Sequence, residues 1–208
     1  MTKKKKSAVS SVVELVVIVA VAIGLALAIQ AYVVKPYRIP SGSMLPTLHI
    51  GQRVLVDRIG THFSSPQVGA IIVFHPPKNY AAGCANANQG ETESGQDGRQ
   101  PCGVQQNQES PETFIKRVVG LPGDRISIRN GHVIRNGKPE KDSYTISCDG
   151  SGSCNFPGTI TIPRGDYYMM GDNRPDSEDS RFWGPVPKAW IIGKAFFTYW
   201  PLDRIGIL

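Results

Sequence analysis

The sequence has few of the patterns that mark common binding and catalytic sites. It lacks a dense stripe of Lys and Arg with interleaved aromatic residues, so no nucleic-acid partner is expected. Its cysteines form no Cys-x-x-Cys pair, and neither they nor the histidines have the spacing of zinc ligands, so we expect neither a metal nor a cofactor. Gly-x-Ser-x-Gly is also absent, which disfavours a Ser-His-Asp hydrolase. The histidines are therefore interpreted as surface or packing residues: His49, His62, His75 and His132.

The net charge of +6 is divided evenly between a short tail and the rest of the chain. Residues 1–34 carry four lysines and one glutamate, and the remaining residues also have an excess of three basic groups. No broad basic face follows from this distribution. A chain of 208 residues is long enough for one domain with a real core plus an additional segment.

The amino-terminal segment has the composition of a membrane span. Lys3–Lys6 precede the run 12–34, which is apolar apart from Glu14, Gln30 and small residues. The stretch Leu15–Val34 would form about 30 Å of helix, the thickness of a bilayer core. Because lysines favour the cytoplasmic side, we expect residues 1–11 to be a cytoplasmic tail, 12–34 a transmembrane anchor in the cell membrane, and 35–208 an extracytoplasmic domain.

A cleavable secretory signal is the alternative interpretation, because a basic start and an apolar run are followed by Ala26-Leu27-Ala28. The apolar run continues to Val34, which favours a retained anchor. In either case the remainder of the chain is exported, and an even number of cysteines on an exported chain suggests disulfides. The local pairs would be Cys84 with Cys102 and Cys148 with Cys154.

Beyond residue 35 the sequence predicts an all-β domain of multi-sheet or barrel-like architecture. No convincing amphipathic helix occurs there, and Asn130-Gly131 and Asn136-Gly137 predict tight turns. Short β-branched runs separated by Gly, Pro and Asn predict these strands: Arg53–Asp57, Ala70–His75, Thr113–Val119, Arg125–Arg129, His132–Arg135, Thr159–Ile162, Asp166–Met170 and Ile191–Trp200.

A polar insertion interrupts this pattern at residues 79–112. It is rich in Gln, Asn, Gly, Glu and Ser and carries five acidic residues against one arginine. Such a composition cannot bury a core, so we interpret it as a long surface loop. A Cys84–Cys102 bond would limit how far it extends.

Two stretches carry candidate nucleophilic chemistry. In Ile39–Leu48, prolines flank a Ser-Gly-Ser sequence, and this bend can present a serine hydroxyl, although an ordinary loop can have the same composition. In Thr113–Val119, alternation places Lys116 on one face with apolar neighbours. An edge-strand lysine reaching water is the common case. A buried lysine whose pKa falls by roughly 2–3 units could instead take the proton from Ser43.

A dense polar turn, Gly171–Gly184, follows a predicted strand and supplies Asp, Ser and Arg side chains. These could be solvated loop charges, or they could lock the loop through Asp–Arg pairs while a serine orients the lysine amine.

Three stretches together resemble the characteristic boxes of bacterial type I signal peptidases. They are Pro40-Ser41-Gly42-Ser43-Met44-Leu45-Pro46-Thr47-Leu48, then Ile115-Lys116-Arg117-Val118-Val119-Gly120-Leu121-Pro122-Gly123-Asp124, then Gly171-Asp172-Asn173-Arg174 through Arg181. The order and the amino-terminal anchor are similar as well. The resemblance implies a signal-peptidase-like fold and a monomeric, membrane-anchored serine endopeptidase. Its partners would be the bilayer and the signal peptides of secretory preproteins, which it would cleave after Ala-x-Ala.

The resemblance also implies roles for individual residues. Ser43 would be the nucleophile and Lys116 the general base. Ser41 would assist the Ser43 amide in the oxyanion hole, and Ser177 would hydrogen-bond the lysine. Support for the site would come from three further residues: Asp172, Asp179 and Arg181.

Small apolar pockets for the two alanines are implied too, lined by Ile39, Pro40, Met44, Leu48, Val73, Phe114 and Ile115. Two features depart from the family pattern. Gly69-Ala70 replaces the usual Gly-Asp, which affects a local turn cap, and the insertion 79–112 falls just before the lysine strand.

Two alternatives remain at this stage. Self-cleaving repressor proteases of the DNA-damage response use a similar Ser/Lys pair, but the anchor and the missing DNA-binding helices disfavour them. A catalytically silent, anchored extracytoplasmic β domain that binds partners is the other. The presence of Ser43, Lys116 and Ser177 together disfavours it.

Overall fold

The structure, a computed structural model, describes residues 8–86, 101–148 and 154–208. The lysines of the predicted cytoplasmic tail and the middle of the predicted insertion, 87–100, lie outside the described residues. Helix α1, Ala8–Tyr32, opens the chain, and strand β1, Val34–Arg38, follows directly. Within the described ranges, no helix combines the length and the apolar character that a membrane crossing requires.

The larger sheet has eight strands and is antiparallel throughout. Its order is β1-β2-β11-β3-β4-β9-β10, and β12 pairs with β11 outside this path. Its other strands are β2 (Arg53–Asp57), β3 (Ile71–Phe74), β4 (Phe114–Gly120), β9 (Asp166–Met170), β10 (Val186–Pro187), β11 (Ile191–Trp200) and β12 (Gly206–Ile207).

The smaller sheet has four antiparallel strands in the order β7-β6-β5-β8. They are β5 (Arg125–Arg129), β6 (His132–Arg135), β7 (Lys138–Pro139) and β8 (Phe156–Thr161). Asn130 and Gly131 join β5 to β6 with φ values of 50° and 82°, the left-handed conformation that a tight hairpin requires. Asn136 and Gly137 make the same kind of turn between β6 and β7, so both predicted turns are confirmed.

Helices are short after α1. The part of the chain after α1 that the structure describes has two four-residue α-helices, α2 (Gly60–Phe63) and α3 (Ser180–Trp183). Single 3-10 turns span Arg174–Asp176, Lys188–Trp190 and Leu202–Arg204, and Tyr80–Asn86 is 3-10 with a kink at Gly83. A mostly β fold is therefore confirmed, and each predicted strand corresponds to an observed one with small changes at its ends.

Strand β3 lies at the centre of the core because apolar side chains cover both of its faces. Ile71 and Val73 pack with residues of β2 and with the loop that follows β1, whereas Ile72 and Phe74 pack on the opposite face against Trp183 of α3. A third cluster fills the space between the two sheets. Because both faces of β3 are buried, the position of the sheet is fixed, and so are the starting points of the loops that leave its strands.

Candidate active site

A cleft of about 960 Å³ brings together residues from three separate parts of the chain. One side is the loop after β1, which includes Ser41 and Ser43. Strand β4 contributes Lys116, and the segment after β9 contributes Ser177. The three boxes of the sequence analysis therefore meet in one cavity.

Two buried side chains hold the serine loop in place. Met44 and Leu48 are fully buried in the cluster against β2 and β3, and Leu48 N donates to Met44 O at 2.8 Å. The Ser43 carbonyl accepts from Asn173 N at 3.1 Å. With its backbone pinned on both sides, Ser43 faces the cleft, and its hydroxyl oxygen lies 3.4 Å from that of Ser41.

Lys116 is buried rather than extended into water. Only 4% of its surface is exposed, and it pairs with Ile72 of β3 in the interior of the sheet. Its Nζ lies 5.8 Å from the centre of the Phe114 ring. The interpretation as an edge-strand lysine is therefore wrong, since β4 lies between β3 and β9.

Burial lowers the pKa of Lys116 from 10.5 to about 8, and this desolvation outweighs the opposing charge of Asp179. The side chain is thus an amine that can exist uncharged near neutral pH. Among the described residues, Lys116 makes no hydrogen bond to Ser43 or Ser177. Bonds of this kind are often long without substrate and tighten when substrate binds.

A buried ion pair acts electrostatically on the lysine. Arg181 donates from Nε to Asp179 Oδ1 at 2.8 Å and from Nη2 to Oδ2 at 2.9 Å, and neither residue is exposed. The Arg181 charge and hydrogen bonds lower the pKa of Asp179 against the opposing effect of burial. Ser177 Oγ donates to Asp179 Oδ2 at 2.7 Å, so the ion pair also fixes the serine hydroxyl.

Asp172 has a different partner, which the sequence analysis missed. Arg117 donates to its two oxygens at 2.8 and 2.6 Å, and Thr47 Oγ1 donates to Oδ2 at 2.5 Å. Arg117 also donates to Gly69 O at 2.7 Å. This network ties the serine loop, β4 and the segment after β9 to one buried carboxylate. Because these contacts join residues 55 and 125 positions apart, no local pattern could reveal them.

Five of the seven residues expected in the alanine pockets line the cleft: Ile39, Pro40, Val73, Phe114 and Ile115. Met44 and Leu48 do not line it, because they point into the core and anchor the loop instead. Three further lining residues come from the insertion: Tyr80, Ala81 and Gly83.

One histidine has partners that its sequence context did not indicate. His132 Nδ1 lies 3.0 Å from both carboxylate oxygens of Asp142, and its Nε2 lies 3.3 Å from Ser147 Oγ. The order is that of a Ser-His-Asp triad. None of the three lines the cleft that contains Ser43 and Lys116, and we assign them the structural role of joining β6 to the segment before Cys148.

The cysteines come together in the two expected local pairs. Cys84 and Cys102 lie at disulfide distance with Cα atoms 5.9 Å apart, and Cys148 and Cys154 do so with Cα atoms 6.2 Å apart. All four are buried.

A serine hydroxyl and a buried amine of lowered pKa line one cleft, and groups of these two kinds can act as nucleophile and base in a hydrolase. Comparisons with known proteins agree with that class. Residues 12–200 match the family model described as signal peptidase, peptidase S26. The chain belongs to this family and is a serine endopeptidase.

Two relatives are similar over most of the chain. A probable signal peptidase I-1 of Synechocystis sp. is 38% identical over 188 residues, which cover 90% of this chain and 82% of that protein. A signal peptidase I of Leptolyngbya laminosa is 38% identical over 184 residues, covering 88% and 77%. The crystal structure of a signal peptidase I from Enterococcus faecalis V583 covers 63% of this chain and 97% of its own at 24% identity. Its TM-score is 0.39.

Proposed function

We propose that this chain removes amino-terminal signal peptides from exported preproteins, cleaving after Ala-x-Ala, with Ser43 as nucleophile and Lys116 as general base. The observation that carries the proposal is that both side chains line one cleft and that burial brings the pKa of Lys116 to about 8. A fraction of the amine is then uncharged at neutral pH and can accept a proton.

The reaction proceeds in two stages. Lys116 Nζ takes the proton of Ser43 Oγ as that oxygen attacks the carbonyl carbon of the second alanine, which gives a tetrahedral oxyanion. The C–N bond then breaks, Lys116 returns the proton to the departing amine of the mature protein, and an ester on Ser43 remains. Water, deprotonated by Lys116, attacks the ester and frees the signal peptide and the serine.

The neighbouring groups have supporting roles in this proposal. The Ser43 amide and the Ser41 hydroxyl stabilise the oxyanion, since both lie at the turn that presents Ser43. Because the Ser177 hydrogen is donated to Asp179, its oxygen is free to accept a hydrogen bond from Lys116 and orient the amine. Asp179 with Arg181, and Asp172 with Arg117, hold these elements at fixed separation.

The pockets for the two alanines are proposed to be the apolar part of the cleft, formed by Ile39, Val73 and Ile115 beside the reacting groups. All proposed catalytic residues come from one chain, which supports action as a monomer.

Segment 12–34 is proposed to anchor the chain in the cell membrane, with the amino terminus in the cytoplasm and the β domain outside. Apolar side chains of α1 between Val12 and Leu27 are exposed, from 48% at Val19 to 64% at Val21, and four lysines precede the helix. Such a continuous apolar surface requires a partner, and a bilayer supplies one. Anchoring would also limit the encounter with a membrane-bound precursor to one plane.

The central test is cleavage of an Ala-x-Ala preprotein by the full chain in detergent. Ser43→Ala and Lys116→Ala should each lower kcat by roughly 10⁴-fold or more. Lys116→Arg should be equally inactive because guanidinium stays charged. Ser65→Ala and Lys194→Ala, which change exposed residues outside the cleft, are matched controls and should retain full activity.

The outcomes separate the competing functions. Full activity of Ser43→Ala with an unchanged thermal unfolding midpoint would remove the catalytic assignment. If the original chain cleaves no preprotein, the silent binding domain is favoured instead.

Anchoring is tested by alkaline carbonate extraction of membranes that contain the full chain. The original chain should stay in the membrane pellet, whereas Ile18→Lys combined with Val21→Lys should move it to the supernatant. Ile50→Lys changes an exposed apolar residue outside α1 and should not. Release of the original chain would contradict the anchor.

A further inference from the structure

One wall of the cleft comes from the polar insertion and not from the three family boxes. Tyr80, Ala81 and Gly83 line the cavity beside the beginning of β4. Residues 79–112 were expected to be a surface loop, yet their first turn reaches the same cleft as Ser43 and Lys116. None of the proposed catalytic residues belongs to this wall.

Tyr80 has a fixed position at the rim. Its ring packs edge-on against Phe114, with ring centres 4.9 Å apart, and its hydroxyl donates to Glu112 Oε2 at 2.8 Å. Both aromatic residues are half-buried, so part of each ring faces the cleft. Edge-to-face packing and the hydrogen bond together hold the tyrosine ring in one orientation.

The turn that carries Tyr80 is tied to the sheet at its base. Lys78 N donates to Gln108 O at 2.8 Å and Ser110 N donates to Pro76 O at 2.7 Å, so the two stems of the insertion pair with each other. An isolated bridge between Pro77 and Glu109 lies between these bonds. The two ends of the insertion are therefore held together by backbone hydrogen bonds where they leave the sheet.

A second attachment joins the insertion to Arg181, which forms the buried ion pair next to the proposed catalytic residues. Cys84, four residues after Tyr80, lies at disulfide distance from Cys102. Cys102 N donates to Arg181 O at 3.0 Å, and the Tyr168 hydroxyl donates to Cys102 O at 3.1 Å. The wall is thereby fixed to the same arginine that pairs with Asp179.

The distance from the reacting groups defines which part of a substrate the wall can contact. Phe114 precedes Lys116 by two residues on the same strand, a spacing of about 6.6 Å. An extended substrate advances by a similar distance over two residues. Two residues from the last alanine lie the first alanine on one side and a residue of the mature protein on the other. Because the alanine pockets are assigned to Ile39, Val73 and Ile115, the aromatic pair is left for a residue that flanks Ala-x-Ala.

We propose that Tyr80 is a specificity-determining residue that forms, with Phe114, a distal apolar subsite for a bulky aliphatic side chain flanking the Ala-x-Ala of the precursor. This inference rests on the proposed function. Two fixed ring surfaces offer an aliphatic side chain dispersion contacts and removal from water, neither of which a glycine can use. The subsite thus distinguishes precursors that the alanine pockets alone would accept equally.

The test uses the full chain in detergent and peptides that share Ala-x-Ala. Each peptide carries leucine or glycine at one flanking position, and the positions are scanned on both sides. At one position the original chain should prefer leucine by about tenfold in kcat/KM, mostly through KM, which is the magnitude expected for one apolar side chain in a pocket. Tyr80→Ala should abolish this preference while glycine peptides are cleaved as before.

Two further variants separate the ring from general effects on the fold. Tyr80→Phe keeps the ring and should keep the preference. Tyr199→Ala removes a tyrosine of β11 outside the cleft and should also keep it. An unchanged preference in Tyr80→Ala, or equal cleavage of leucine and glycine peptides at every position by the original chain, would overturn the subsite alone. A chain that cleaves none of the peptides would overturn the proposed function and the subsite with it.

Discussion

Arg181 and Asp179 form a two-contact ion pair that is completely removed from solvent, two residues apart in sequence, at 2.8 and 2.9 Å. The same arginine also donates to the carbonyl oxygens of Arg174 and Ser177 at 2.8 Å each. One side chain thus fixes the turn that carries the serine proposed to orient Lys116.

Breaking this pair should destabilise the fold strongly. Asp179→Asn leaves the guanidinium without its buried counter-charge, and Arg181→Met leaves the carboxylate alone. Each change should lower the free energy of unfolding by about 3–5 kcal/mol, measured by urea denaturation. Glu140, which is partly exposed, offers a control, because Glu140→Gln removes its contact to Arg135 and should cost about 1 kcal/mol or less. If Asp179→Asn or Arg181→Met lowered the free energy of unfolding by no more than Glu140→Gln does, the supporting role of the buried pair would be contradicted.

The pH dependence of cleavage should follow the ionisation of Lys116. Its pKa of about 8 in the folded protein means that the uncharged base increases tenfold per pH unit below 8 and saturates above it. We therefore expect kcat/KM to rise from pH 6 to about pH 8 and then to level off. A profile that is flat over this range, or that keeps rising tenfold per unit to pH 10, would contradict the lowered pKa.

Lys116 should also reduce stability in a pH-dependent manner. Its pKa is 10.5 in the unfolded chain and about 8 in the folded one, so between these values the unfolded state holds more protons and stability rises with pH. Lys116→Met removes this penalty. The free energy of unfolding should increase at pH 7 by up to about 3 kcal/mol, with a gain that shrinks between pH 8 and 10.5.

Urea unfolding at several pH values measures this effect. Lys194→Met, which changes an exposed lysine of β11, should give no pH-dependent difference. A destabilised Lys116→Met variant at pH 7 would show that the amine is held by favourable contacts and would contradict the desolvated state.

The two cysteine pairs should have different effects on specificity. Mass spectrometry without reductant should show Cys84 bonded to Cys102 and Cys148 bonded to Cys154, since both pairs lie at bonding distance. Replacing Cys84 and Cys102 by serine should weaken the leucine preference assigned to Tyr80, because the wall loses its attachment near Arg181. Replacing Cys148 and Cys154 is the matched control, and that preference should persist. Four free thiols in the protein purified after export would contradict both bonds.

The strands were predictable because alternation of apolar residues is a local signal. β2, β5, β6, β9 and β11 have the predicted ends. Strand β1 was missed because Pro36, Lys35 and Arg38 interrupt any apolar pattern, and its position at the edge of the sheet explains why those residues are tolerated. The remaining missed strands, β7, β10 and β12, have two residues each, too few to show a period.

In the cleft, sequence reasoning identified the stretches that meet but not all of their contacts. Met44 and Leu48 were expected in the alanine pockets but lie in the core. An irregular loop has no period from which the direction of a side chain could be deduced. The partnership of Arg117 with Asp172 depends on the pairing of β4 with β9, which no local pattern reveals. Tyr80 was not predicted to line the cleft, because the polar composition of the insertion around it indicated a surface loop.

The most direct measurement of the central claim is an NMR titration of Lys116 in the full chain, with carbon-13 at the lysine ε position and Lys116→Met used to assign the signal. A pKa near 8, which returns towards 10.5 when the protein is unfolded in urea, is the expected result. A pKa near 10.5 in the folded protein would contradict the proposal that Lys116 is the base for Ser43.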